Sequence, residues 1–108
     1  MTGIGGCRSS GGIVADTQIV KGSGKLVSIH GLSTGTNTGH VYIYDVASSG
    51  DIAAGNLIGF LYVGLVSTGS NYQEADMHGV YFRHGLYADV THVSGTSTAF
   101  TVEYNWGI

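Results

Sequence analysis

The chain has 108 residues, a length that suits one domain whose core can hold without staples. Its net charge is −3 with only four basic residues (Arg8, Lys21, Lys25, Arg83), which excludes the clustered Lys/Arg footprint of a nucleic-acid-binding surface. Charged residues make up 10% of the chain, against about 25% in ordinary soluble domains, so much of the surface is expected to be covered by copies of the chain or by a larger assembly.

Nineteen glycines, no proline and many Ser and Thr residues suit short strands joined by tight turns. A hydrophobic content of 43% separates the chain from disordered low-complexity sequence. The single cysteine, Cys7, excludes an intrachain disulfide, which fits a reducing compartment or a fold that needs no cross-link. Met1 to Gly6 lacks the basic and apolar regions of a secretory signal, so none is expected. The longest apolar stretch, Leu57 to Val66, runs for about ten residues where a spanning helix needs about 20, so no membrane crossing is expected.

In chain order, residues 1–12 form a Gly/Ser-rich arm with Ile4 as an isolated anchor, and 13–108 form the folded domain. Alone, such an arm loses more ordering entropy than it gains, so a neighbour orders it or it frays. Ile13 to Val20 is the first strand, Lys21-Gly22-Ser23-Gly24 a turn, and Lys25 to His30 the second strand, with Val27 and Ile29 on one face. Gly31 to Gly39 reads as a loop. His40 to Asp45 follows, apolar on both faces, as in a central strand or one whose Tyr face meets a partner. Ala47 to Asn56 is a connection with room for one helical turn around Asp51-Ile52-Ala53-Ala54. Leu57 to Val66 is again a strand, with Gly59 and Gly64 marking bulges or close approach. Ser67 to Ala75 is polar and turn-rich. His78 to His84 and Leu86 to His92 are strands around Gly85. Thr98 to Trp106 closes the chain with Phe100, Val102, Tyr104 and Trp106 on one face. About seven or eight strands at ~8–12-residue spacing predict an all-β fold, an antiparallel β-sandwich of jelly-roll or Ig-like type.

Chemistry-bearing residues do not converge. The five histidines (His30, His40, His78, His84, His92) lack local metal-ligand spacing; Asp76 and His78 could supply half a site, and one histidine per chain could meet its copies on an oligomer axis. Gly24-Lys25 fails as a phosphate loop because Leu26 follows and Ile19 stands where glycine is needed. No Gly-x-Ser-x-Gly elbow is present, and the carboxylates are scattered. The reading is therefore non-enzymatic, without metal or cofactor. The aromatics Tyr42, Tyr44, Tyr62, Tyr81, Tyr87, Tyr104 and Trp106 suit core and subunit contacts better than a sugar-stacking platform, because tyrosine joins an apolar body to a polar tip.

The segments His40-Val41-Tyr42-Ile43-Tyr44-Asp45, Gly85-Leu86-Tyr87-Ala88-Asp89-Val90-Thr91 and Ala99-Phe100-Thr101-Val102-Glu103-Tyr104 carry short motifs. Over residues 13–106 they resemble small virion β proteins of tailed bacteriophages, marine and cyanobacterial ones in particular, in which a VxIYD strand precedes a GLYxxxT strand and a closing xxTVxY strand. The glycine-rich arm and the stretch 67–75 depart from that pattern. The resemblance implies a virion structural protein and no catalytic residues. The expected role is a capsid decoration (cement) protein that binds and stabilises the outer shell; the alternatives are a neck, tail or fibre component, or a carbohydrate-binding module. Expected partners are the major capsid protein or other virion proteins, and copies of the chain in a homo-oligomer, with a trimer favoured. Its expected location is the virion, after assembly in the host cytoplasm. The expected contact residues are Ile4, Cys7 and Arg8 in the arm, with Asn71 and Tyr72 in the downstream loop.

Overall fold

The computed structural model describes residues 7–64 and 70–107, with the backbone alone described at Ser70. Among the described residues eight strands are present: β1 (Arg8–Ser9), β2 (Thr17–Lys21), β3 (Gly24–Thr34), β4 (Thr38–Tyr44), β5 (Leu57–Val63), β6 (Ser70–Phe82), β7 (Gly85–Ser94) and β8 (Ala99–Trp106). They form two antiparallel four-stranded sheets, ordered β1-β8-β3-β6 and β2-β7-β4-β5. β1 pairs with β8, β2 with β7, β3 with β6 and β4 with β5, as in one long hairpin rolled up on itself. That order is the jelly roll; an Ig-like sandwich would group the strands differently.

Between the sheets, Leu26, Ile29, Val41, Ile43, Val63, Phe82, Leu86, Phe100 and Val102 are buried. The alternation read from β4 and β8 holds: Val41 and Ile43 point inward with Tyr42 and Tyr44 outward, and Phe100, Val102 and Tyr104 point inward. Trp106 shares their side of β8 but is 51% exposed beyond the end of the core. Its indole N–H donates to the Lys21 carbonyl at 3.0 Å, and the Arg8 guanidinium lies 5.5 Å above its ring.

Several elements differ from expectation. In β3 the register slips between Leu26 and Ser28: against β8 Val27 is an extra residue, whereas against β6 the excess lies on β6, where Met77, His78 and Gly79 face Val27 alone. Leu26 and Ile29, three apart, therefore both face the core, and Val27 does not share a face with Ile29 as the alternation predicts. Gly31 to Gly39 is not a loop: β3 runs through Thr34 and β4 begins at Thr38. Gly31 lies within β3 and is held to glycine because a Cβ there would come within 2.6 Å of Val63 Cγ2 and 3.1 Å of the Phe100 ring. The stretch read as turn-rich from Ser67 onward enters β6 at Ser70, and Val66 and Ser67 lie outside the described residues. The first strand is shorter than predicted: Ile13 makes an isolated bridge to Phe100, and β2 begins only at Thr17. In place of one helical turn, the β4–β5 connection holds two 3-10 turns, Ser49–Asp51 and Ala54–Asn56.

The described part of the arm lies along its own domain. Arg8 and Ser9 pair with Tyr104 and Glu103, and the Ser10 N–H donates to the Val102 carbonyl at 2.8 Å. β8 supplies the hydrogen bonds, and Ile13, directly after the arm, is buried. Ile4 lies outside the described residues.

Candidate functional site

The outer face of the second sheet gathers the aromatics that alternate along β4 and β5. His40, Tyr42 and Tyr44 point outward from β4, and register sets Tyr62 beside His40 and Phe60 beside Tyr42. Tyr87 on β7 pairs with Tyr44, and Asp89 with Tyr42. The His40 ring sits between Tyr42 and Tyr62, its centroid 4.8 and 4.7 Å from theirs. Tyr42 and Tyr62 hydrogen-bond through their hydroxyls. That bond, with some burial, pushes the Tyr42 hydroxyl above its ordinary pKa. Phe60 packs edge-on against Tyr62, and Phe60 and Tyr62 remain 54% and 53% exposed. β4 and β5 have seven residues each and carry no Asp, Glu, Lys or Arg. Beside them an open hollow of about 390 Å³ is lined by His40, Tyr62, Val63 and Val93.

At the other side of this face, Asp89 is pushed above the usual carboxylate range by burial and by the nearby Asp16 carboxylate. Asp16 Oδ1 accepts the Val90 N–H at 2.8 Å and so holds the chain before β2 against β7. The face is thus apolar and aromatic on β4 and β5, and grades to one acidic pair, Asp89 on β7 with Asp16 from the chain before β2.

The first sheet presents a polar network instead. Ser28 donates to Glu103 Oε1 at 2.5 Å, and His30 Nε2 lies 3.3 Å from the same oxygen. His30 Nδ1 meets the Tyr72 hydroxyl at 2.8 Å, and that hydroxyl donates to Glu74 at 3.1 Å. The chain of contacts ties β8, β3 and β6 together. Ser28 Oγ also lies 3.2 Å from His30 Nε2, while the hydrogen bond it donates goes to the Glu103 carboxylate.

The Ser28 and His30 hydrogen bonds hold the Glu103 carboxyl below its ordinary range. Its contribution to stability is therefore full above the unfolded carboxylate value and is lost as pH falls through the depressed folded one. Glu103→Gln should lower the melting temperature by about 1–4 °C at pH 7, the small size reflecting solvent screening. It should also flatten the melting temperature against pH below about pH 5. Thermal unfolding followed by circular dichroism from pH 3 to 8 checks both.

The contact residues expected from sequence do not form one patch. Cys7 is exposed beside β1, and Arg8 is stacked on Trp106 at that same edge of the first sheet. Tyr72 is 53% exposed on β6, at the opposite edge and three strand spacings away, about 14 Å. Asn71 does not sit in a loop: it lies in β6 opposite Ser33, 9% exposed, and faces inward. Alternation along a strand sends neighbouring residues to opposite faces, which separates Asn71 from Tyr72. Asn71 Nδ2, Ser33 Oγ and Thr98 Oγ1 are buried without a hydrogen-bond partner among the described residues.

Asp76 and His78 do meet, but they close a turn: Asp76 Oδ1 accepts the His78 N–H at 2.8 Å where His78 has a φ of 55°. Among the described residues no group of three His, Cys, Asp or Glu side chains could hold a metal ion. No helix among them is long and apolar enough to cross a membrane. Phe60 is the contact candidate that the sequence reading passed over; its only signal was its place in the two-residue alternation with Tyr62. No protein-family description, curated protein or solved structure matches this chain.

Proposed function

We propose that the protein is a virion structural protein, a decoration component that binds the outer shell of a tailed-phage capsid through the outer face of its second sheet. One observation carries the reading: β4 and β5 lack Asp, Glu, Lys and Arg, yet turn Phe60, Tyr62 and the tilted Tyr42–His40 pair to the outside. Aromatic residues with charge excluded are the composition of an interface core. Low charge over the whole chain points the same way. The motifs that resemble virion β proteins fall on β4, β7 and β8, two of which build this face. On a repeating lattice, weak contacts of this kind multiply through multivalency.

A carbohydrate-binding role has less support. Trp106, the residue that would stack a sugar, is held by Arg8 and Lys21, and the tyrosine and phenylalanine rings of the sheet face meet edge-on, with Tyr42 and Tyr62 at 68°. A neck, tail or fibre placement differs from decoration in copy number, a handful per particle against hundreds.

The test is reconstitution onto purified shells that lack the protein, read as particle mass. Wild type should load many copies per shell. Tyr42→Ser combined with Tyr44→Ser, both outward on the sheet, should cut occupancy about tenfold or more while the melting transition is retained. Shells that gain no mass with wild-type protein would overturn the reading.

A further inference from the structure

Each sheet leaves two edge strands, and natural β proteins blunt such edges by shortness, charge, proline or bulges. Three of the four edges here are blunted. β1 has two residues. β2 carries Lys21 and a register shift between Gln18 and Val20. β6 carries Glu74 and Asp76, and is broken by positive φ at His78 and Gly79. β5 carries only one of these devices, a bulge at Ile58 near its start. Its sequence, Leu-Ile-Gly-Phe-Leu-Tyr-Val, has no charge and no proline. Its one irregularity falls opposite the Ile43–Tyr44 step, which leaves Gly59–Val63 in regular register with β4. Among the described residues no strand pairs with its other side.

From this contrast we infer that β5 is a pairing edge, and that its occupant is the β5 strand of a second copy of this chain. The charge pattern selects that occupant. An acidic or basic strand would set ionised side chains against Phe60 and Tyr62 with no counter-charge on β5 or on β4 behind it. An identical strand brings none, and antiparallel pairing of two identical strands closes on a two-fold axis. With the axis at Leu61, Phe60 of one copy lies opposite Tyr62 of the other, on the same outer face, twice per dimer. Aromatic cross-strand pairs are among the favourable ones in antiparallel sheets. The two second sheets then merge into one eight-stranded sheet with a doubled aromatic face.

The inference goes beyond shell binding and stands or falls separately from it. A strand of this length spans about 23 Å, so the contact is smaller than a standard interface of about 800 Å² per partner. The dimer should therefore dissociate in the micromolar range and be concentration-dependent. Sedimentation equilibrium up to millimolar protein should show monomer and dimer, and amide exchange in 59–63 should slow as dimer forms. Phe60→Lys with Tyr62→Lys gives β5 the protection the other edges have. It should weaken dimerisation about tenfold or more, with the melting transition kept, because both side chains are half exposed. Should that variant fail to fold, Phe60→Cys with Tyr62→Cys in a Cys7→Ser background serves instead, and must yield a disulfide-linked dimer under mild oxidation. A wild-type protein that stays monomeric with β5 amides exchanging freely overturns the inference, whether or not it loads onto shells. So does a dimer that survives the lysine pair, or a cysteine pair that does not cross-link.

Discussion

Replacing Gly24 by alanine should cost about 3 kcal/mol or more, and lower the melting temperature by more than about 10 °C. Gly24 opens β3 and pairs on one side with Phe82 of β6 and on the other with Trp106 of β8. A Cβ there would stand 2.0 Å from the Asn105 carbonyl oxygen and 2.7 Å from the Phe82 ring. The ring tip could yield a little, but the carbonyl is part of the β3–β8 ladder. Relief therefore means parting two central strands at the end where Trp106 docks. That separates this site from ordinary overpacking, where side chains absorb the strain. Gly55→Ala is the matched control, since its added methyl meets nothing within 4 Å. It should leave stability within about 0.5 kcal/mol or raise it slightly. Denaturant unfolding of both variants decides the comparison.

The same glycine geometry explains where the sequence could be read and where it could not. β4 and β8 were legible because large apolar side chains alternate cleanly along them, as Val41 and Ile43 do against Tyr42 and Tyr44. The second half of β3 was not. Its inward positions are Gly31 and Ser33, one kept small by Val63 and Phe100, the other polar and buried. Composition alone reports such a stretch as a loop, because the reason for its small residues sits on other strands. The beginning of β6 hid in a similar way: Tyr72, Gln73 and Glu74 are exposed as an edge strand permits, and the one buried residue among Asn71–Glu74, Asn71, is polar.

The candidate site was legible in kind but not in place. Period two along β4 set Tyr42 and Tyr44 on one face, and the low charge suggested a covered surface. Which other aromatics join them depends on cross-strand register, which no local pattern encodes. Register brings Phe60 and Tyr62 to this face, whereas Tyr104 is in the core and Trp106 is pinned at a corner of the sandwich. Cys7 and Arg8 read as part of a glycine-rich arm, and Asn71 and Tyr72 as part of a polar, turn-rich loop. Pairing distributes them over two edges and two faces of the first sheet.

Phe100→Ala should be the most destabilising single side-chain truncation discussed, at about 3–5 kcal/mol. Phe100 has no exposed surface, and Gly31 stands opposite it on β3. A glycine cannot swing a side chain into the space the ring leaves, so the cavity would persist, and residual cavity volume is what raises the cost of such truncations. The arm shares the loss, because Ile13 and Phe100 exchange backbone hydrogen bonds of 2.7 and 2.9 Å. Amide exchange at Ile13 should therefore rise along with the fall in global stability. A double-mutant cycle tests the cavity account directly. Gly31→Ala in the wild type pushes a methyl to 3.1 Å from the Phe100 ring and 2.6 Å from Val63, and should cost about 1–3 kcal/mol. In the Phe100→Ala background the ring is gone and the methyl fills part of the hole, while the Val63 contact remains. The two changes should then be non-additive by about 1 kcal/mol, with the double variant more stable than the sum predicts. Strict additivity would mean that the core around Phe100 collapses freely, and that Gly31 is small for the sake of Val63 alone.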